Sequence, residues 1–510
     1  MHALFQNRVN RYFALFIAIL LLFIIAGIVT EKLFLWFVPF LLVLPVFFIK
    51  DINRLLVLFF AVLPVTIEYY LPNGFGIDLP GEFLLIIIFF IFILYAAANI
   101  STLDWSNLYH PLTFLLLLHL GWIFFTTVFA QNQVIAIKFF LAKLWYVFPV
   151  YFLPLLLLKR DMLKSILTVL LTVTTLTVII VLYRHSKTFF DFASANDAVY
   201  IFYRNHVSYA SLLVITFPFW FVLRYWYKNP LSRMLIWTGI VIYIAGIIFS
   251  YTRVAHLILL MTGVFYLAVK YRLLRYIIPV SLILTAGFYF YLTTNYKYLD
   301  YAPDYARTIT FKDYDDIVNA TYEGRDISTM ERLYRWVAGY NMIKEKPWAG
   351  FGPGNFYSAY RPYTVNSFRT YVSDNPEKSG IHSYYLMTLV EQGFPGFIIF
   401  LLLVAYSLLY GEKLYRSIRD KELKILLTAV MLSLISIYVV LIINDMVESI
   451  KTGTILFFDL ALLILIAKWD GQQNTGGRSR GEGKRLKFKG KSLKETRACA
   501  LDAGSCHAEA

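Results

Sequence analysis

The chain has 510 residues, of which 59% are hydrophobic and only 15% are charged, and its mean hydropathy is +0.63. Because a soluble domain carries about 25% charged residues, this composition excludes a soluble globular protein and indicates a polytopic membrane protein. The formal net charge of +15 would suggest nucleic-acid binding in a soluble protein, but here the basic residues lie mostly in short loops and a C-terminal tail. That tail holds both cysteines, Cys499 and Cys506, which excludes a structural disulfide on the outer face and, with only His507 nearby, argues against a zinc site.

Apolar runs of roughly 17 to 25 residues follow one another along the chain, each long enough to cross the membrane as a helix. Weak strand alternation argues against a β-barrel, so we expect an all-α polytopic fold with about 12–14 transmembrane helices. The first run has no small-residue cleavage site after it, and we interpret it as a retained helix rather than a signal peptide. The predicted helices cover 11–29, 33–49, 54–71, 82–98, 111–129, 137–158, 161–182, 206–226, 232–250, 252–270, 274–292, 383–409, 422–443 and 452–468.

Positive charge is concentrated in alternate connections between these helices. The positive-inside rule places those connections in the cytoplasm, so both termini are predicted to be cytoplasmic and the long polar loop to lie on the opposite face. The connection at 99–110 has no Lys or Arg and is assigned to the cytoplasm by parity alone. The basic residues that set the orientation include Arg8, Arg11, Lys50, Arg54, Lys159, Arg160, Lys164, Lys228, Arg233, Lys270, Arg272, Arg275, Lys413, Arg416, Arg419, Lys421 and Lys424.

Four segments follow from this pattern. Residues 1–292 form an N-terminal transmembrane helix bundle, and residues 293–382 form one large outer loop. Residues 383–468 contain the C-terminal transmembrane helices. Residues 469–510 are basic and poor in apolar residues, so we expect a disordered cytoplasmic tail held near anionic lipid by its charge.

The outer loop is predicted to contain a helix. Ser328 and Glu331 have the spacing of a capping box, and apolar residues then recur at helical intervals. The helix should cover about 329–344 and end before Pro347, since the residue before a proline disfavours helical geometry.

A glycine-rich turn follows that helix. Gly350, Gly352 and Gly354 predict a turn that needs positive φ or a close approach of backbone. It is not a dinucleotide-binding fingerprint, because the spacing differs and no strand precedes it. Further on, Gly393 and Pro395 predict a break just inside the helix that begins near His382.

Four motifs together resemble the O-antigen ligase and polymerase superfamily. They are Arg-x-x-x-Trp at 332–336, Pro-x-x-Gly-x-Gly-x-Gly-Asn-Phe at 347–356, and a His-x-x-Tyr-Leu segment with a downstream Glu-x-Gly at 382–393. Ser250-Tyr-Thr-Arg253, at a helix mouth upstream of the loop, is similar to a Ser-Arg element of the same proteins. The N-terminal helices match only in hydropathy and number.

This resemblance implies an integral membrane glycosyltransferase of the GT-C type. Such enzymes transfer a glycan from an undecaprenyl-pyrophosphate donor to a lipid or glycan acceptor on the periplasmic side, without metal or other cofactor. It also implies a multi-pass protein of the bacterial inner membrane, with the large loop in the periplasm and membrane lipids, not nucleic acid, as its surroundings.

Arginines are the candidate ligands for the pyrophosphate. Guanidinium groups bind phosphate bidentately and stay charged in a partly apolar site. Arg253 and Arg332 both lie on the outer side in the predicted topology, against the positive-inside trend, and Arg204 at another outer helix mouth is a third candidate. Arg335 is predicted to be an ordinary surface residue.

His382 is the candidate catalytic base. An imidazole titrates near neutrality, so it can accept the proton of an attacking sugar hydroxyl. His382 also lies where the loop re-enters the membrane, the boundary at which a lipid-linked donor and an acceptor meet. His119, His206 and His256 lack the surrounding motif that accompanies His382, and for His256 packing in the core is the preferred interpretation.

Trp336, Asn355 and Tyr385 are candidate sugar-contacting residues, because aromatic faces stack on sugars and amides bond to hydroxyls. Trp348, Phe356 and Tyr360 could extend that stacking surface. Carboxylates at the outer turns either orient an arginine, bind acceptor hydroxyls, or cap helices locally; they are Glu68, Asp445 and Glu448. No metal-ligand spacing is present, so we predict no metal site.

Three functions remain open at this point. The first is a ligase that joins the glycan to a lipid A-core-type acceptor, and the second is a polymerase that extends the carrier-linked glycan by the same chemistry. The third is a transporter of lipid-linked sugars, which predicts internal repeats and charges at mid-membrane. The charge of this chain is instead concentrated in one outer loop, which favours a glycosyltransferase.

Overall fold

The computed structural model describes residues 17–30 except 19 and 28, 52–70, 76–302, 326–370, 373–374 and 379–472. Within these residues the structure is almost entirely helical, which confirms the predicted all-α polytopic fold. The helices are α1 Ile52–Val62, α2 Gly81–Ala98, α3 Pro111–Val128, α4 Gln133–Leu157, α5 Arg160–Ser186, α6 Ala195–Val199, α7 His206–Thr216, α8 Phe219–Trp226, α9 Pro230–Ile248, α10 Arg253–Tyr271, α11 Leu274–Thr293, α12 Ile327–Glu345, α13 Phe356–Ala359, α14 Tyr384–Ser417, α15 Lys421–Ile443 and α16 Ile450–Gln472.

Ten helices in the described part of the chain are long and apolar enough to cross a membrane, or eleven if α7 and α8 form one bent span. The prediction was 12–14, but the predicted helix at 33–49 lies outside the described residues and the one at 11–29 is described only in part. The predicted helices from 82–98 onward each coincide with an observed helix, except at 206–226. There the helix bends by 41° between Thr216 and Phe219, since Pro218 lacks the N–H that a continuous helix requires.

The predicted helix at 54–71 is wrong in its second half. The helix ends at Val62, and Ile67–Tyr70 forms strand β1, which pairs antiparallel with strand β2, Gly76–Leu79. Pro64 lies in the short turn that separates helix from strand. Ile67 and the tyrosines that follow favour extended backbone, and the hairpin partner that stabilises them could not be read from hydropathy.

Side-chain caps fix where several helices begin. The Asn132 side chain accepts a hydrogen bond from the Ile135 N–H at 3.2 Å, and the Asp420 side chain accepts one from Leu423 at 2.8 Å. Ser383 caps α14 in the same way. Each cap satisfies a backbone donor that the first helical turn leaves free.

Helix α16 forms the centre of the bundle. It is largely apolar and buried, as a helix surrounded by other helices must be, and residues such as Leu460 and Ile466 have no exposed surface. Helix α15 packs against α7, α8, α10 and α14. Helix α11 lies at the periphery, where Leu274 is its only buried residue.

The two ends of the bundle differ in charge. We use the term loop face for the end of the bundle that carries α12 and the residues that follow this helix, up to 383. At the opposite end, Lys468 pairs with Asp104 at 2.8 Å and Arg160 pairs with Glu422 at 3.1 Å. The connection at 99–110 therefore lies at the same end as the basic connections, which agrees with its assignment by parity.

Candidate functional site

Helix α12 is capped by a residue that the sequence motif did not identify. The Asp326 carboxylate accepts hydrogen bonds from the N–H and the hydroxyl of Thr329, at 3.3 and 2.5 Å. The expected capping box of Ser328 and Glu331 is therefore wrong, and the helix begins at Ile327 instead of 329. Ser328 instead accepts a hydrogen bond from the side chain of Arg332 at 2.8 Å.

The glycine turn packs against a break in α14. All three of Gly350, Gly352 and Gly354 have positive φ, as predicted, and so does Gly393 within α14. A Cβ on Gly350 would lie 2.4 Å from the Glu391 carbonyl carbon, so only glycine fits there.

Glu391 completes the contact between turn and helix. Its carboxylate accepts hydrogen bonds from the N–H groups of Gly354 and Phe356, at 2.9 and 3.1 Å, and its carbonyl accepts one from Gly352. Beyond the break, the Phe394 N–H donates to the Pro347 carbonyl at 2.8 Å. The loop is thus joined to the membrane bundle through backbone as well as side-chain bonds.

Replacing Glu391 with alanine should lower the melting temperature and the activity together. The change leaves two buried backbone donors without an acceptor, at a cost of about 1–3 kcal/mol each. Glu345→Ala is the matched control, because that carboxylate is exposed and bonds only to the Tyr363 hydroxyl among the described residues. Thermal unfolding of the detergent-solubilised variants measures the difference, and equal melting temperatures for the two would contradict this role.

Arg253 and Arg332 are brought together at the loop face. Arg253 begins α10 and its Nη2 lies 2.9 Å from the Asp326 carboxylate, at the start of the helix that carries Arg332. Burial opposes the charged form of Asp326, but hydrogen bonds from Thr329 and Arg253 outweigh it and hold the pKa of Asp326 below its usual value. This carboxylate therefore remains ionised and anchors Arg253 beside α12.

Only one of the nitrogen atoms of the Arg332 guanidinium has hydrogen-bond partners among the described residues. Its Nη1 donates to the carbonyl and hydroxyl of Ser328, whereas its buried Nε has no hydrogen-bond partner among the described residues. Burial lowers the pKa of Arg332, and repulsion from Arg253 and Arg335 adds to that effect. A guanidinium donor of Arg332 therefore has no partner among the described residues and is left for an anion.

The expectation that Arg335 is an ordinary surface residue was wrong. Arg335 is only 5% exposed, and it pairs with Glu331 at 3.3 Å and donates to the Gly380 carbonyl at 3.3 Å. The hydroxyl of Ser373 donates to the same Glu331 carboxylate at 2.6 Å. The loop that follows α12 buries this face of the helix. The spacing of apolar residues within α12 could not predict that burial.

His382 lies beside the arginines. Burial, followed by repulsion from Arg335, Arg332 and Arg204, lowers the pKa of His382 to about 3, so its imidazole is neutral at physiological pH. Its backbone is left-handed, with φ of 57°, a conformation that His adopts more readily than most residues. The sequence-predicted base and arginines therefore share one site.

The backbone on both sides of His382 is fixed. The Trp336 indole donates to the Ile381 carbonyl at 3.0 Å, and the Asp445 carboxylate lies near the His382 N–H. Burial raises the pKa of Asp445, while that N–H and the charges of Arg335 and Arg204 act against the rise. The sequence left three roles open for Asp445: orienting an arginine, binding acceptor hydroxyls or capping a helix. Its position beside the His382 backbone and the arginines favours an orienting role.

Arg204 reaches the same site from the other side. Its guanidinium lies 3.6 Å from the carboxylate of Glu68, on strand β1 of the hairpin, and 44% of its side chain is exposed. His206 also lies within electrostatic reach of Arg332, which the sequence did not indicate, and its ring bonds to Asn196 at 2.7 Å. Arg204 thus contributes charge to the site from an exposed position.

The remaining histidines make structural contacts, as interpreted from the sequence for His256. His119 is buried, and its Nε2 lies 3.0 Å from the Gln392 side-chain oxygen. The Nε2 of His256 lies 2.9 Å from the Ile247 carbonyl at the end of α9. Neither ring is placed with His382.

The three candidate sugar-contacting residues make internal contacts. Asn355 has no exposed surface, because its side chain bonds to the N–H and the carbonyl of Asn132; this position does not match the expected sugar contact. Tyr385 is half-buried and its hydroxyl donates to the Tyr438 carbonyl at 3.3 Å. Trp336 is half-buried beside His382, and of the three it lies nearest the site.

Residues 238–401 match the family model described as O-antigen ligase. This match confirms the resemblance to the O-antigen ligase and polymerase superfamily. A comparison with curated proteins gives no match. The matched segment contains Arg253, Arg332, the glycine turn and His382, whereas Arg204 and Asp445 lie outside it.

The described part of this O-antigen ligase-like chain contains no group of three or more His, Cys, Asp or Glu side chains that could hold a metal ion. Its site combines buried guanidinium groups with a neutral imidazole at the end of a helix bundle. Such an arrangement can bind a phosphate-bearing ligand and accept a proton next to it.

Proposed function

We propose that this chain transfers a glycan from undecaprenyl pyrophosphate to a lipid A-core-type acceptor at the periplasmic face of the bacterial inner membrane. The observation that carries the proposal is the cluster of Arg253, Arg332 and Arg335 around a neutral His382. The match to O-antigen ligases over the same segment supports it.

The arginines would stabilise the leaving group. The acceptor hydroxyl oxygen attacks the anomeric carbon of the donor sugar, and the bond from that carbon to the phosphate oxygen breaks. The electron pair leaves with the lipid pyrophosphate, so negative charge develops on the phosphate oxygens. Arg332, with its unpartnered Nε, and Arg253 are the donors for that charge, with Arg204 as a third.

His382 would accept the proton of the acceptor hydroxyl. Burial and the arginines lower the pKa of His382 to about 3, which makes it a weak base. A bound pyrophosphate would offset the arginine charges and so raise that pKa towards neutrality. Donor binding therefore prepares the base, and a free enzyme without donor has little tendency to activate hydroxyls.

The proposed orientation predicts that the loop face is accessible from the periplasm. In a chain with Cys499 and Cys506 replaced by serine, Ser367→Cys at the loop face should react with a membrane-impermeant maleimide in intact spheroplasts. Ser101→Cys, exposed at the opposite end, is the matched control and should react only after the membrane is disrupted. The reverse labelling pattern would contradict the periplasmic placement.

The glycan ladder of a deletion strain tests the proposed acceptor. Complementation with the wild-type chain should restore long glycan on the lipid anchor, and the uncomplemented strain should carry none. A ladder that collapses to a single repeat in the deletion strain would instead identify the polymerase of the same superfamily. An unchanged ladder would contradict both.

A further inference from the structure

An ion pair joins helix α4 to the turn between α15 and α16. Lys143 is 4% exposed, and its Nζ lies 2.5 Å from a carboxylate oxygen of Glu448, whose side chain is 22% exposed. Lys143 is ten residues into α4, which places its backbone about 15 Å from the loop-face end of that helix. A charge buried in a membrane bundle is costly, and such charges are often functional.

Glu448 belongs to the turn between α15 and α16, and this turn contacts the start of α14. The Asn444 carbonyl accepts the Tyr384 N–H at 3.1 Å. The Glu448 carboxylate lies near the Tyr384 hydroxyl, and the Asp445 carboxylate lies near the backbone N–H of His382. The turn therefore holds both His382 and the residue two positions after it.

Aromatic rings enclose the lysine. Its Nζ lies 5.9 Å from the ring centroids of both Tyr384 and Phe457. Tyr384 thus contacts both members of the ion pair, through its ring and its hydroxyl. A displacement of either charge would act on Tyr384 and, through the turn, on His382.

We propose that Lys143 and Glu448 are positioning residues that hold the turn at 444–448 and thereby fix the orientation of His382. This inference rests on the proposed role of His382 as the base. Breaking the pair leaves one buried charge uncompensated, which affects folding as well as position. Removing both charges separates these two effects, because no uncompensated charge then remains.

The test compares Lys143→Met, Glu448→Gln and the double variant in purified form. The substrates are undecaprenyl-pyrophosphate-linked glycan and lipid A-core, both extracted from cells that lack this protein. Each single change should lower the melting temperature and should reduce kcat by about 10- to 100-fold, with the donor KM nearly unchanged. The double variant should regain the wild-type melting temperature while its kcat stays low, and Lys143→Arg should retain most of the activity.

Arg160→Met, at the opposite end of the bundle, is the control and should leave kcat unchanged. Wild-type kcat in the folded double variant overturns the inference and leaves the pair a purely structural contact. His382→Ala in the same assay separates this result from a failure of the proposed function. If that variant is as active as wild type, the base assignment itself is wrong.

Discussion

Replacing His382 with alanine is expected to abolish glycan transfer while donor binding is retained. A general base contributes about 10²- to 10⁴-fold to a rate, and His382 is the base proposed for this site. In cells, the variant should leave the lipid anchor without glycan although the protein is present in the membrane. His507→Ala, in the basic tail, is the control and should behave like wild type.

The pH dependence of the wild-type enzyme gives a second measure of the same residue. The pKa of His382 is about 3, and under the proposal bound donor raises it, so the acid limb of kcat should lie at higher pH than the acid limb of kcat/KM. The depressed pKa also means that His382 contributes to stability above the unfolded value of about 6.5, and this contribution is lost as pH falls towards 3. Coincident acid limbs would show that the donor does not change the pKa of the base.

Replacing Arg332 with alanine should weaken donor binding and slow transfer together. The residue has a buried Nε that has no hydrogen-bond partner in the described part of the chain, and a charged hydrogen bond to phosphate contributes about 1.5–3 kcal/mol, or roughly 10- to 100-fold. Lysine should restore only part of the activity, because it keeps the charge but not the planar pair of donors. Donor KM and kcat with extracted undecaprenyl-pyrophosphate-linked glycan measure both effects.

Inorganic pyrophosphate offers a direct test of the anion site. It should inhibit the wild-type enzyme in competition with the donor, and Arg332→Ala should be less sensitive to it. Arg369→Ala is the control, since this residue is 55% exposed and pairs with the exposed Asp374. Equal inhibition of the Arg332 and Arg369 variants would place the phosphates elsewhere.

The motifs identified the main residues of the site because their chemistry is local in sequence. Arg332, Arg253 and His382 lie at helix starts or at the return of the loop, positions that hydropathy and charge locate well. Asp326 could not be found in this way, since its role depends on Arg253, which is 73 residues away in the chain. Arg335 was misjudged because its cover comes from the loop, not from the pattern of its own helix.

The fold was predictable wherever the length of an apolar run determines whether the run forms a spanning helix. Single apolar runs gave the spanning helices, with errors only where backbone chemistry interrupts such a run. Pro218 bends one helix, and the β1–β2 hairpin replaces the end of another. Both errors have the same cause, since hydropathy reports burial and contains no information on hydrogen-bond partners.

The break in α14 has a consequence for the order of assembly. A helix within a bilayer needs partners for its backbone groups, and at Gly393 the following N–H obtains one from Pro347 in the loop. The backbone of the segment after His382 therefore lacks one of its hydrogen-bond partners until the loop has folded against it. Insertion of the last three helices and folding of the loop should thus occur as one event. A chimaera that exchanges the loop must also carry the helix break that receives it.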